Sequence, residues 1–536
     1  MTGVAPGVLF LYLLDAVLLT IPVSLVLIWL YRRTVERAMQ TASSVSDSTA
    51  TIQVTSGAHG PWNLSELIHR EQLVRLRLVL VYMVAGASAA SFWTWLYFQS
   101  PGLEFSGLRA FAVWYALCWP VPATLITLLA IPWRRSVWLV GAYFVAGSLA
   151  IVVWSGASHL LSGQPGFRPI ANVESFLSFL AIEACLPAFL ILVASNRRIR
   201  GVSPLVLAAL LVFTFSSVAL REIFVTLLDM KGLRNLLLSI GPNWWFMFAT
   251  VPVGYLCWRL LALLNARYRD KSFSDVQVVG DSFWVIVAFV LSAGYAADFG
   301  WKGIAGLGGF VVYRVMVQLG LSTSSRRTPR EPGVRLLVLR VFGFRRRSEK
   351  LFESVAQRWR FRGVVAMIAG TDLAACTINP HDMLAFLADD LRSSFVQGPH
   401  DLTKHLELMD GSRDPDGRFR VTEFFCHENT WSDTLTALLA RSDAILMDLR
   451  GFSEKHSGCI FELNQLAAQQ RLDDTVFVVD ASTDVKLLES TLCRTGQEKA
   501  DVKRLRMEKV DSEASSERER VYRSLCLISG TPLTSR

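Results

Sequence analysis

Six ionisable residues, Asp15, Glu183, Arg221, Glu222, Arg259 and Arg314, interrupt long apolar stretches in the first 320 residues. An unpaired charge in a bilayer costs roughly 2.5 kcal/mol or more, so such residues mark proton relays, substrate paths or paired helices. Asp15 and Glu183 sit near the middle of their stretches and are the relay candidates. Arg259 can snorkel to an interface, and Arg221 and Glu222 can reach one or pair with a neighbour. Further along, Cys426 and His427 bring a thiol and an imidazole side by side, but consecutive strand residues point to opposite faces and do not make a nucleophile and its base. The histidines His381, His400, His405, His427 and His456 show no HxxxH or HExxH spacing, and the eight cysteines no CxxC, so no metal site is expected.

The elements that must carry these residues fall into two classes. The chain is 52% hydrophobic and 18% charged, with a mean hydropathy of +0.37, which excludes a purely soluble enzyme. Windows long enough to cross a hydrocarbon core of roughly 30 Å fill residues 1–320. Nine spans are expected, at about Leu9–Leu30, Leu78–Phe98, Ala110–Ile131, Val137–Trp154, Phe176–Ala194, Leu205–Leu228, Trp244–Leu264, Phe283–Ala297 and Gly303–Leu319. The last two read either as two crossings or as a re-entrant hairpin, and both place residue 321 on the side of residue 281. The segments after spans one, three, five and seven hold fourteen Lys and Arg, against five in the alternate segments. That asymmetry predicts a multi-pass protein of the cell's inner membrane, with the N-terminus outside and everything after residue 321 cytoplasmic. Tryptophans near span ends, including Trp93, Trp95 and Trp154, fit interface anchoring.

A basic linker, 321–333, leads into a region where short β-branched runs alternate with helical patterns. The runs at 335–343, 363–370, 418–425, 443–449 and 474–481 predict a doubly wound α/β domain with a parallel sheet over 334–495, followed by a charged tail, 496–536. In such sheets the ligand crevice lies at the carboxyl ends of the strands. The residues there are Gly343, Phe344 and Arg345; Thr371 and Asp372; Cys426, His427 and Glu428; and Arg450, Gly451 and Phe452. Asp448 points to the same edge, where it either meets a ribose hydroxyl or closes a turn. No GxGxxG or GxxxxGK[ST] is present, which disfavours a phosphate-cradling loop.

Residues 428–466 read ENTWSDTLTALLARSDAILMDLRGFSEKHSGCIFELNQL. A Trp opening an amphipathic helix, a strand beginning at SD, a Gly451–Phe452 loop, and Cys459 three residues before Glu462–Leu463 resemble the centre of Toll/interleukin-1 receptor (TIR) domains. The opening VFGFRRRSEKLFESVAQRW is similar as well. The chain departs from that family at Gly458, where an aromatic is usual, and at Asp448-Leu449-Arg450, where a Ser ends the strand. IAGTDLAACTINPHDM lacks the family's BB-loop pattern. Ser457 and Gly458 ahead of Glu462 also resemble the SGxxxE-type helix of nucleoside deoxyribosyltransferases. Either resemblance implies a flavodoxin-type sheet, with Glu462 as the catalytic carboxylate for cleaving a glycosidic bond at a ribosyl C1′. It further implies Ser457 beside Glu462 and Phe344, Arg345 and Trp431 as ligand contacts, to which position at the strand ends adds Asp372 and Asp448. NAD is then the implied substrate and no cofactor is required. The opposed reading is that Glu462 pairs with an arginine or sits near its helix N-terminus for electrostatic reasons; burial against an arginine would argue against catalysis.

Residues 1–330 carry a net charge of +11 and residues 331–536 one of −2. The basic excess is therefore the signal that orients the spans, and no nucleic-acid partner is expected. The expected partners are the lipid bilayer, further copies of the chain in a homo-oligomer, and a nucleotide ligand. Three functions remain open: a signalling or defence protein with a TIR-like domain that cleaves NAD, a non-enzymatic receptor or scaffold, and a transporter with a regulatory domain.

Overall fold

A computed structural model describes residues 6–40, 64–162 and 172–180, 202–216, 242–325, 333–340, 345–369, 380–494 and 505–529, with short interruptions inside these ranges. The chain divides into two units: residues 1–29, 77–323 and 378–388 form one, and residues 30–76, 324–377 and 389–536 the other.

The first unit is helical. Its elements include the apolar part of α1 (Pro6–Gln40), most of α2 (Leu64–Tyr97), α3 (Gly107–Leu117), α4 (Pro120–Leu128), α5 (Trp133–Ser162), α6 (Pro242–Arg269), α7 (Asp275–Phe299) and α8 (Gly308–Ser325). Five described helices are long and apolar enough to span a membrane: Leu18–Gln40, Glu71–Tyr97, Arg135–Ala157, Gln277–Ala296 and Lys302–Ser322. The expectation of nine spans is therefore not supported. The third expected span is broken after Leu117 into α3 and α4, because Pro120 and Pro122 supply no backbone donor to continue the ladder. The fifth lies largely outside the described residues, and of the sixth only the short helix Leu205–Thr214 is described. The seventh falls in α6, a long helix whose apolar length is interrupted by Pro252 and Arg259. The last two are both full-length helices, α7 and α8, joined by a 3-10 helix, Gly300–Leu307.

Packing within this unit reassigns two residues. Arg314 is not a lone charge: its Nη1 lies 2.6 Å from Asp281 Oδ2, tying α8 to α7. Trp93 is no interface anchor, since it is fully buried, donates to the Gly306 carbonyl at 2.8 Å and stacks on Trp284. The side chain of Asp15, and all of Glu183, Arg221 and Glu222, lie outside the described residues. Residues 378–388 belong to this unit, with Leu384 of α10 (Pro380–Leu387) packed among Leu205, Tyr268, Phe273 and Val278.

The second unit is built on a seven-stranded parallel sheet in the order β3-β4-β2-β1-β5-β6-β7. The strands are β1 (Leu336–Arg340), β2 (Val365–Ala369), β3 (Phe395–Val396), β4 (Val421–Cys426), β5 (Ala444–Asp448), β6 (Thr475–Val479) and β7 (Arg506–Lys509). All five expected strands are present. Without β3 and β4 the order is the flavodoxin-type 2-1-3-4-5; with β4 retained it is the 3-2-1-4-5-6 order of dinucleotide-binding sheets. In both, the direction of winding reverses between β1 and β5.

Alternation along the strands feeds two cores. Leu337 and Leu339 of β1, with Ile445, Met447 and Phe477, pack on α12 (Trp431–Arg441) and α13 (Ser457–Ala468). Leu336 and Val338, with Leu446, Val476 and Val478, face α9 (Arg345–Trp359) and the final helix, α15 (Ser515–Ile528). Each fully buried aliphatic side chain contributes roughly 1.5–3 kcal/mol. The remaining helices, α11 (Pro399–Leu408) and α14 (Val485–Arg494), flank β3 and follow β6. The segment expected to be a charged tail supplies β7 and α15, whose Val521, Tyr522 and Leu525 are core residues.

The N-terminal part of α2 is integral to this unit. Glu71, 7% exposed, accepts from Arg358 Nε at 3.3 Å and from the Tyr522 hydroxyl at 3.2 Å. The Arg358 guanidinium lies 3.7 Å from the Tyr522 ring centroid and also pairs with Glu519.

Candidate functional site

The reversal between β1 and β5 is where a parallel sheet of this kind opens a crevice. Their register sets Arg340 opposite Asp448, so a cation and an anion end adjacent strands. Asp448 is taken by Arg450 two residues on: Nε to Oδ1 at 2.8 Å and Nη2 to Oδ2 at 2.7 Å, with both side chains 5% exposed. This bidentate pair occupies both carboxylate oxygens, so Asp448 closes the turn after β5 instead of presenting a free carboxylate.

The loop beyond is fixed by a second acid. Asp480, just past β6, accepts from Gly451 N at 3.3 Å, Ser482 Oγ at 2.7 Å and Thr483 Oγ1 at 3.1 Å. Partial burial pushes its carboxyl up, but the bonds from Ser482, Gly451 and Thr483 outweigh this and hold it below the usual range. Gly451 sits at φ +71°, which its lack of a Cβ permits. Thr483 Oγ1 donates to the Leu449 carbonyl at 3.0 Å, locking the β5 and β6 loops together.

Glu462 lies in the second turn of α13, on the face turned to the sheet, and is 3% exposed. Burial raises its carboxyl to about 8; the positive charge of Arg340 pulls the other way without offsetting it. Its Oε2 has no hydrogen-bond partner among the described residues. Cys459, one turn earlier, donates its thiol to the Arg340 carbonyl at 3.6 Å, pinning α13 to the end of β1. At neutral pH this geometry provides a buried protonated acid near a guanidinium. A carboxylate nucleophile would need to be ionised and reachable.

The other expected residues are spread around this centre. Ser457 is the first residue of α13 and is exposed. Trp431 opens α12 and sets its ring edge-on to Phe461 at 5.0 Å, next to Glu462 in sequence. Arg345 begins α9, but its side chain, like all of Phe344 and Asp372, lies outside the described residues. Cys426 and His427 do not form a pair: burial lifts the Cys426 thiol to about 11, and His427 Nδ1 bonds the Ala38 carbonyl at 2.8 Å. No group of three or more His, Cys, Asp or Glu suited to a metal occurs among the described residues. The residue missed from sequence is Arg340, and its signal was the single charge inside LLVLRVFG.

No protein-family model matches the chain, and no curated protein or solved structure matches it.

Proposed function

We propose that this chain is a membrane-anchored signalling protein whose parallel-sheet domain acts on the cytoplasmic side by assembly, with other copies of itself or with a partner, and not by turnover in the resting state. The observation that carries this reading is Glu462, 3% exposed, whose burial raises its carboxyl to about 8 against the opposing charge of Arg340. A group so buried is closed to substrate. The test is the full chain in lipid nanodiscs, incubated with NAD while nicotinamide is measured, alongside chemical cross-linking in vesicles. Cross-linked multimers with background nicotinamide release, equal in wild type and Glu462→Gln, support assembly; steady release lost in Glu462→Gln overturns it.

The second reading, cleavage of NAD at its glycosidic bond in signalling or defence, is favoured by the unpartnered Oε2 of Glu462 and by the TIR-like stretch 428–466. It requires assembly to open α13 to solvent so that Glu462 ionises. Nicotinamide release that appears only at high protein density, and only with Glu462 intact, would select it.

A further inference from the structure

Two of the tryptophans that read as interface anchors, Trp95 and Trp154, converge on one cavity. The C-terminal end of α2, the start of α3 and the second half of α5 border an open cavity of about 550 Å³. That is the size of a small-molecule site. Six of its eleven lining residues are aromatic, namely Trp95, Phe98, Phe105, Phe111, Trp114 and Trp154, in a chain that is 11% aromatic, so the lining is not an average sample of apolar surface.

The rings are held by their own contacts. Phe111 stacks on Trp154 with centroids 5.5 Å apart, and Phe98 meets Phe105 edge-on at 5.2 Å. Trp114 is fixed to α2 by its Nε1, which donates to Ser91 Oγ at 3.1 Å and to the Ala87 carbonyl at 3.2 Å. At the mouth, Trp95 is 57% and Phe105 74% exposed.

The polar lining is sparse. Ser91 and Thr94 turn their hydroxyls back to the Ala87 and Ala90 carbonyls of their own helix. Gln99 is exposed, and its side-chain amide makes no hydrogen bond among the described residues. No charged side chain lines the cavity. We propose that this cavity binds a neutral, planar aromatic molecule carrying one hydrogen-bonding group, which stacks among the rings and is met by Gln99. Charged ligands would enter without a counter-ion. A lipid acyl chain gains little over the surrounding bilayer, which is equally apolar, whereas a flat ring gains offset and edge-on contacts that lipid cannot offer. The site lies about 27 Å along α2 from Arg77, the depth of a hydrocarbon core, so it sits at the opposite interface from the basic start of that helix.

The test uses the full chain in nanodiscs and 6-bromo-2-naphthol, a planar neutral probe whose bromine quenches tryptophan emission. Saturable quenching is expected, competed by unbrominated 2-naphthol. Phe111→Ala should weaken it about tenfold and Gln99→Leu by a few-fold, matching the loss of one stacked ring and one hydrogen bond. Gln99 is exposed, so its variant keeps the fold; unchanged far-ultraviolet circular dichroism verifies both proteins. Quenching that rises linearly with probe and is identical in the variants shows partition into lipid and overturns the proposal. So does displacement of the probe by palmitate or by tetramethylammonium, which would assign the cavity to an acyl chain or a cation instead.

Discussion

Arg340 and Glu462 lie close enough at the carboxyl edge of the sheet for their charges to interact, yet the arginine does not keep the glutamate ionised. Desolvation outweighs attraction here, and the consequence is a pH dependence of known sign. The folded state holds a proton on Glu462 up to about pH 8, while the unfolded chain releases it near the ordinary glutamate value of 4.5. Between those limits the native state binds more protons than the unfolded one, so stability falls as pH rises, by at most about 1.4 kcal/mol per unit. Glu462→Gln is neutral throughout and should flatten this slope. Thermal melting of both proteins at intervals from pH 5 to 9 checks it, and parallel curves would refute a proton on Glu462.

Asp448 and Arg450 form the opposite case, a pair whose two partners satisfy each other. Asp448→Ala leaves a guanidinium buried without its carboxylate and should cost roughly 3–5 kcal/mol. The double change Asp448→Leu with Arg450→Met should recover most of that loss. Urea unfolding followed by circular dichroism separates the two, and a double variant as unstable as the single one would show the pair to be more than mutual compensation.

Removing Arg358 breaks three contacts at once, to Glu71, Glu519 and the Tyr522 ring. Since its side chain is 20% exposed, solvent screens part of the effect, and Arg358→Ala should cost about 2 kcal/mol. Arg358→Lys should recover less than half, because an ammonium cannot spread flat over the ring while bridging two carboxylates. Limited proteolysis should cut the α2 segment near Glu71 sooner in both variants than in wild type; unaltered cleavage would mean the network carries no load.

Burial makes Cys426 a poor nucleophile, its thiol lifted to about 11. Iodoacetamide at pH 8 should leave Cys426 and the buried Cys459 unmodified in the folded protein and alkylate both in denaturant. Peptide mass spectrometry reads this directly. Rapid native labelling of Cys426 would restore it as a candidate reactive group.

Much of the sheet was legible because β1, β2, β5 and β6 are apolar or β-branched runs buried along nearly their whole length, and β4 is buried over Phe424–Cys426. The edge strands were not. β3, two buried apolar residues, is too short to show a period, and β7 reads RMEK and is largely exposed, so neither stands out in the sequence. The third span failed because a hydropathy window averages over Pro120 and Pro122, whose missing backbone donors fall where α3 gives way to α4. At the candidate site, Glu462 stood out by its motif. Its electrostatic partner did not, since Arg340 arrives through the pairing of β1 with β5, a relationship between distant segments that no local spacing encodes. Trp93 and Trp154 illustrate the same limit: equal in sequence context, one is sealed in the interior and the other lines a cavity.

The contacts of Glu71 join residues 287 and 451 positions apart along the chain. During synthesis the start of α2 emerges long before α9 and α15, so this part of the sheet unit must wait for nearly the whole polypeptide. The segment beginning at residue 331 therefore holds both cores of the sheet but lacks one acid of the network that ties α2 to it. Expressed alone, it would present Tyr522 without Glu71 and leave Arg358 with Glu519.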